Sequence, residues 1–330
     1  MKYKLFILFS IISYLCHGQK IKLELNLTPG KSYTQCIMAY SSGKQPQNDP
    51  KKSDSSQHQD TESYSRIIYS VVNQANSYYE LKARYDSLTW LTSTQYSYNE
   101  ITSGNKKKDP PPLSALQAIK KSIVNDKKYN DYTSVLRELL KKTFSVKMSR
   151  TGRIIEVKNI DSLINDIIDK NQYLTSNSKE VTKRELITIF GDSALKGRLI
   201  IYNPVFADSV ISKGEKWQGN STFGSKSSAN ALTTYELLDI SDKECLISAT
   251  SKVVTPNKEL LIEKDGLKLK TDLEGTVTYN FKIDRSSGWV KRSKIEQYLK
   301  GTITPIINSD NNSPEVTIPV ESTAKIAITN

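Results

Sequence analysis

Histidine is almost missing from this chain. Only two occur in 330 residues, His17 and His58. A Ser-His or Cys-His nucleophilic pair needs an imidazole held in place by structure. His17 lies in an apolar N-terminal leader and His58 in a polar stretch read as a mobile loop, so neither is expected to supply one. Histidine-ligated zinc and copper fail for the same reason. Beyond the leader no apolar run approaches the roughly 20 residues of a membrane helix. No Gly-x-Ser-x-Gly elbow, Walker loop, dinucleotide fingerprint, calcium loop or zinc spacing occurs either. No cofactor is expected, and no integral membrane segment.

Cysteine is nearly as scarce, with three residues. Cys16 belongs to the leader, where Lys2 and Lys4 precede the apolar run Leu5–Cys16 and Cys16-His-Gly18 offers small residues for cleavage before Gln19. Residues 1–18 therefore read as an export signal to the periplasm or the medium. A lipid-anchored outer-membrane form, acylated at Cys16, is the weaker reading because Leu15 stands where a small residue is wanted. An oxidising compartment permits a disulfide between Cys36 and Cys245. A buried free thiol at Cys245, on an apolar strand face, is equally ordinary.

The net charge is +12. The lysines are scattered, as at Lys106–Lys108, Lys120, Lys127 and Lys141, which favours a solvated surface over a dedicated polyanion site. An anionic envelope glycan, a lipid or a lipoprotein are the partners this balance allows. Nucleic acid is not among them, since no recognition motif is present.

Strand periodicity dominates what is there. From Leu267 to Ile283 nearly every odd residue is apolar and nearly every even one polar, the signature of a strand with one wet face. Arg285-Ser-Ser-Gly288 is a turn signal, and Trp289, Ile295, Leu299 and Ile303 continue the odd face. Pairing Ile283 with Trp289 sets Val277 against Ile295, Leu273 against Leu299 and Leu269 against Ile303. Gly275 and Gly301 inside these arms are expected to mark a bend or bulge.

Ile21, Leu23, Leu25 and Leu27 predict a first strand, followed by strands near Tyr33–Tyr40, Ser63–Val72 and Tyr78–Trp90, the last extending toward Tyr98. The polar stretch Ser41–Asp60 predicts a mobile loop. Helical spacing appears within 113–142, over Ile160, Leu163, Ile164, Ile167 and Ile168, and from Asp192 to Tyr202. Thr182 and Glu185 form a capping box ahead of another helix. After Gly214 the chain is almost all strand.

The two strand blocks resemble each other. Gly30-Lys-Ser-Tyr33 matches Gly214-Glu-Lys-Trp217, and Tyr69, Tyr79, Leu81 and Ala83 match Tyr235, Cys245, Ile247 and Ala249. Thr151-Gly-Arg-Ile154 matches Ser287-Gly-Trp-Val290. The domain reading is a first β-meander over 19–157 with loop 41–60 and helices 113–142, a helical segment over 158–213 and a second meander over 214–330. The fold class expected is α+β: a long curved antiparallel sheet built from a duplicated meander, with amphipathic helices inserted between the halves and packed on its concave face.

Leu25-Asn-Leu27-x-x-Gly30-x-x-Tyr33, Gly214-Glu-Lys-Trp217, Glu274-Gly-Thr276 and Ser287-Gly-Trp289 resemble an uncharacterised family of exported β-rich proteins common in Bacteroidota. The resemblance implies an envelope or secreted protein and carries no established reaction. Gly30, Tyr33, Gly214, Trp217, Gly275, Gly288 and Trp289 are its structural signature here.

No catalytic residue is assigned. Gly191-Asp-Ser193 resembles the serine motif of a lipase and esterase family, but no histidine follows residue 58 and Asp192 suits a helix cap. Asp86, Asp161, Asp166, Glu185 and Asp272 are candidate carboxylates for a hydrolase. Tyr64, Tyr69, Tyr78, Tyr79, Tyr85, Tyr96 and Tyr98 are read as pleated-surface residues rather than an aromatic ligand platform. Non-catalytic binding of an apolar or amphipathic ligand is the leading expectation, ahead of a solid-core interaction module and a carboxylate-dependent hydrolase.

Overall fold

A computed structural model describes residues 20–46, 56–94, 98–103, 134–172, 174–223, 229–264, 267–306 and 317–330. The expected leader, the centre of the expected mobile loop (47–55) and the expected helix at Leu113–Ile123 lie outside the described residues. So do the basic clusters at Lys106, Lys120 and Lys127.

The first half contains β1 (Lys20–Ile21), β2 (Ser32–Pro46), β3 (Ser56–Gln74), β4 (Tyr78–Thr94), β5 (Tyr98–Ser103), β6 (Phe144–Ser149) and β7 (Ile154–Lys158). A short helix α1 covers 134–139. Then come α2 (Ile160–Asp169), α3 (Ser176–Phe190) and α4 (Asp192–Tyr202). The second half contains β8 (Ile211–Ser212), β9 (Lys216–Phe223), β10 (Ala229–Ile240), β11 (Glu244–Val254), β12 (Ile262–Lys264), β13 (Leu267–Asp284), β14 (Val290–Ile306) and β15 (Ile318–Thr329).

Thirteen strands form one antiparallel sheet in the order β7-β6-β4-β3-β2-β15-β14-β13-β11-β10-β9, with β5 beside β4 and β12 beside β13. Each half is a meander of sequential hairpins, and β2 with β15 joins them at the centre. Alternation sorts the faces: Ile37, Ile67, Tyr69, Leu81, Ala83, Ile247, Phe281, Ile295 and Ile328 are all buried. The ends of the strand order come together, because Arg153, next to β7, donates to the Asn220 carbonyl of β9 at 3.4 Å. The sheet therefore curls round on itself.

The central hairpin keeps its predicted faces but not its predicted register. Tyr279 pairs with Ile295, Leu273 with Gly301 and Leu269 with Pro305. The turn explains the shift. Trp289 N–H is not a ladder donor; its carbonyl accepts from Asp284 at 2.9 Å, Gly288 donates to the Asp284 carbonyl at 2.8 Å, and Lys291 is bulged out opposite Lys282–Ile283. A two-residue displacement leaves every side chain on the same face, so alternation alone cannot detect it. Pairing continues unshifted past Gly275 and Gly301. Their role is close approach rather than a bulge: a Cβ at Gly301 would sit 1.9 Å from the Asp272 carbonyl oxygen.

Three other expectations are corrected. Ser41–Pro46 and Ser56–Asp60 are ladder residues: they pair with each other, and β15 flanks 41–44 and β4 flanks 59–60, which satisfies backbone groups whatever the side chains. Residues 22–28 bury Leu23, Leu25 and Leu27 without joining a ladder. Leu25 donates to Arg150 O at 2.7 Å and Asn26 to Ser287 O at 2.8 Å, so this segment straps across the turn end of the sheet. Finally, α3 starts at Ser176, where Thr175 Oγ1 accepts from Ser178 N. Thr182 is buried inside that helix. Its polar first turns hid the true start.

The halves share local geometry. Gly30 and Gly214 both take positive φ, 79° and 83°, as do Gly152 and Gly288, 84° and 70°. Gly30 N donates to Val71 O and Val71 N to Lys31 O; Gly214 N donates to Leu237 O and Leu237 N to Glu215 O. Tyr33 faces Tyr69 as Trp217 faces Tyr235, and both second strands bulge immediately after those positions, at Val71/Asn73 and Leu237/Asp239.

Trp289 links the strap, the turn and the central strands. Its indole N–H donates to Thr34 O at 3.0 Å, and its ring meets Tyr33 and Tyr69 at 5.2 and 5.4 Å between centroids. Trp289→Ala should cost about 3–5 kcal/mol in urea unfolding through cavity creation. Trp289→Phe should cost about 1–2 kcal/mol through the lost hydrogen bond and volume.

Two helix starts cap each other. Asp192 Oδ1 accepts from Ile160 N at 2.7 Å, and Asp161 Oδ1 accepts from Asp192 N at 2.8 Å. Asp161→Ala and Asp192→Ala should each lower stability by about 1 kcal/mol, read by the same unfolding assay. On the outer face, Lys282 and Lys291 hydrogen-bond Glu244 and hold its carboxyl down, from 4.5 to about 2. Because the folded value is the lower one, this contribution is complete above pH 4.5 and fades as pH falls toward 2. Carboxyl NMR titration should place Glu244 at about 2 and move it upward in Lys282→Met.

Candidate functional site

The stretch between the halves decides where space remains. Phe206 N donates to Thr151 O at 2.8 Å on the β7 side, while Trp217 Nε1 donates to Val205 O at 2.7 Å on the β9 side. Residues 203–207 thus tie both ends of the sheet. Gly152 permits this approach: besides its positive φ, a Cβ there would lie 2.5 Å from Pro204 O.

Helix α4 lies in the same gap. Leu195, Leu199 and Tyr202 are buried. Asn203, at its end, donates to Leu199 O at 2.8 Å and accepts from Gln35 Nε2 at 3.1 Å, and Gln35 Oε1 accepts from Tyr69 at 3.2 Å. Arg198 donates to Ile189 O at 2.6 Å. Burial pushes Tyr85 and Tyr202 up, although Arg198 opposes it, so both stay protonated at neutral pH.

The opposite stripe of α4, Ser193, Lys196, Gly197 and Ile200, faces a cavity of about 910 Å³. Gly152, Arg153 and Ile154 form its second wall, and β9 to β11 its third, through Asn220, Ala231, Leu232 and Lys252 among others. A second, small cavity of about 20 Å³ shares Ile200, Val205 and Ala231 with it and is bounded also by Tyr235 and Tyr279. Beside this smaller space the Thr233 and Ser251 hydroxyls lie 2.6 Å apart, and Ser251 donates to the Tyr279 oxygen at 3.3 Å. Burial pushes the Tyr279 phenol up to about 12, so it is a neutral hydroxyl. Trp217 stacks on Tyr235 beside this space, 5.4 Å between centroids.

The cavity's described lining contains three cations and no carboxylate. The carboxylates named from the sequence lie elsewhere in its terms. Asp86 pairs with Arg66 and Arg84, Asp166 with Lys170, Asp272 with Lys258, and Asp161 caps α4. Gly191-Asp-Ser193 is a helix junction: Gly191 is the cap, and a Cβ on it would strike Asp161. Among the described residues no three of His, Cys, Asp and Glu gather as a metal site.

His58 corrects the loop expectation, since it lies in β3 opposite Lys44. Its Nε2 is 3.0 Å from Ser42 Oγ and 3.3 Å from Asp60 Oδ1. A Ser-His-Asp relay needs the two partners on different ring nitrogens. Here both meet the same one, on the exposed face. Cys36 and Cys245 are free thiols. Cys36 alternates with inward Ile37 and so points outward, whereas Cys245 is buried inside, three intervening strands away. Opposed faces cannot be bridged without moving the backbone. Tyr69, Tyr79 and Tyr85 are core residues, and Tyr79 OH donates to Leu25 O at 3.0 Å.

Arg153, Lys196 and Lys252 were not legible as a group in the sequence. The i, i+3, i+4, i+7 stripe of Ser193, Lys196, Gly197 and Ile200 is the only local signal that bore on them.

No curated protein matches the chain. A chain solved in work on lipid–protein interactions in lipovitellin aligns at 12% identity and TM-score 0.48, over 92% of this chain and 25% of that one. This chain thus spans about a quarter of that protein's length. An outer membrane channel from Pseudomonas putida F1 aligns at 5% identity and TM-score 0.19, over 92% and 97% of the two chains. The OccK7 protein of Pseudomonas aeruginosa aligns at 8% and 0.19, over 91% and 99%. All three scores fall below that of a shared fold. Residues 76–290 match the model of DUF6263, a family of unknown function, over more than half of the sequence, and the chain belongs to that family.

Proposed function

We propose that this protein is a non-catalytic, exported binder of an apolar or amphipathic molecule, held between α4 and the ends of the sheet. The supporting observation is the cavity of about 910 Å³, whose size is within the usual range of ligand pockets, roughly 300–1,000 Å³. Its wall mixes Ile154, Ile200, Val205, Ala231, Leu232 and Val254 with amide and hydroxyl groups. Export rests on the leader read from the sequence. Lipid, lipoprotein and anionic glycan are the partner classes this setting offers.

The architecture that makes such a site is, on this reading, a duplicated meander. The paired glycine turns, the matching Tyr33–Tyr69 and Trp217–Tyr235 registers and the bulges at equivalent places support one ancestral unit used twice. The helices then belong to the concave face. In support, Trp90 of β4 meets Phe190 of α3 at 5.7 Å, and Asn203 reaches Gln35.

A second reading is an interaction module, favoured by exposed Leu238 and Leu246 of β10 and β11. Thr234–Thr250 and Glu236–Ser248 separate these from Leu232 and Val254, which line the cavity, and so break the apolar surface.

Native mass spectrometry of the protein purified from its own envelope tests the binding reading. A co-purifying mass is expected, reduced at least several-fold in Ser221→Trp, which places an indole in the cavity on edge strand β9. A bare wild-type protein counts against the reading.

A further inference from the structure

We infer that the molecule held in this cavity is an anionic amphiphile, its acidic headgroup received by Arg153, Lys196 and Lys252 and its alkyl part lying along Ile200, Val205 and Leu232. The inference rests on the binding reading and adds the chemistry of the ligand.

Three cations arrive from three separate elements: the turn before β7, the middle of α4 and the upper part of β11. None has a carboxylate of the described residues within ion-pair distance, and none lines the cavity beside one. Several other basic side chains near the second half are paired with carboxylates. Lys213 meets Asp239 at 2.8 Å, Lys216 meets Glu236 at 3.3 Å, Lys282 meets Glu244 at 2.8 Å and Lys300 meets Glu274 at 3.0 Å. Arg153 makes a single long hydrogen bond, to Asn220 O at 3.4 Å, which leaves most of its five N–H donors for another acceptor. Like charges around a recess repel each other and raise its potential, and an anion relieves both effects.

The space argues for a chain as well as a headgroup. About 910 Å³ is far more than an inorganic anion occupies. Lys252 pairs across the ladder with Leu232, and Val254 is the next outward residue along β11. These two apolar side chains stay 44% and 38% exposed beside the cation. An amphiphile covers the apolar surface and neutralises the lysine in one step. A fatty-acid carboxylate and a lipid phosphate share this chemistry.

Isothermal titration calorimetry on the full chain stripped of lipid decides it, using hexadecanoate, hexadecyl phosphate, hexadecanol and inorganic phosphate below any micelle concentration. Both anionic amphiphiles are expected to bind at least 10-fold more tightly than hexadecanol. The tighter of the two identifies the headgroup. The triple variant Arg153→Gln, Lys196→Gln, Lys252→Gln should lose at least 10-fold for both anions and keep its hexadecanol affinity, which also shows that it is folded. Equal binding of hexadecanol and hexadecanoate overturns the charge assignment and leaves the binding reading standing. Inorganic phosphate binding as tightly as hexadecyl phosphate overturns the amphiphile. If none of the alkyl compounds binds, the binding reading itself fails.

Discussion

The Thr151 carbonyl accepts the Phe206 N–H, and the Val205 carbonyl accepts the indole N–H of Trp217. These two bonds, one residue apart on the linking chain, fasten opposite ends of the sheet to the same short segment. An antiparallel sheet that stops has two rows of unsatisfied backbone groups, and those rows invite pairing with other chains. Bringing the ends together around residues 203–207 and α4 covers them without a closed ladder. The curl, the buried helices and the cavity all depend on that fastening.

Length makes the closure incomplete. At about 1.5 Å per residue α4 is about 16 Å long, whereas the 19 residues of β3 extend to about 60 Å at about 3.3 Å each. The helix fills the gap near the turn end, where Leu199, Tyr202 and Asn203 meet Gln35 and Tyr69. Farther along, small residues take over the inner face of β2, β3 and the middle of β15. Ser41, Ser63, Ser322 and Ala324 stand there, half-buried, where Ile37, Ile67, Ile326 and Ile328 are packed nearer the turns. The core is therefore a plug at one end of a longer trough, and the cavity lies beside that plug.

The resemblance of the halves gives this asymmetry a physical source. Both meanders place glycine turns, a ring pair and a bulge at equivalent positions. Their partners differ: Tyr33 packs on Trp289, whereas Trp217 stacks on Tyr235 and bonds to the linker. The first half thus anchors the strap and the turn end, and the second supplies the wall of the cavity.

Much of the fold was readable in the residues. Alternation over Leu267–Ile283 determined which face is wet, the spacing of Ile160, Ile164 and Ile168 determined the buried stripe of α2, and the glycine turns determined where hairpins reverse. These are local properties, enforced by backbone geometry within a few residues. The family relationship was readable for the same reason, since its motifs are turns and strands. Other features needed the assembled sheet. Register along β13 and β14 depends on a bulge that shifts pairing by two without changing a face. The polar ends of β2 and β3 became strands because they pair with each other and extend ladders that β15 and β4 begin. Residues 22–28 carry a strand pattern but were drawn off as a strap by Arg150 and Ser287. That Arg153, Lys196 and Lys252 line one cavity was decided by tertiary structure alone, because the curl that brings their elements to it acts between residues about 100 positions apart, beyond any spacing that a linear pattern records.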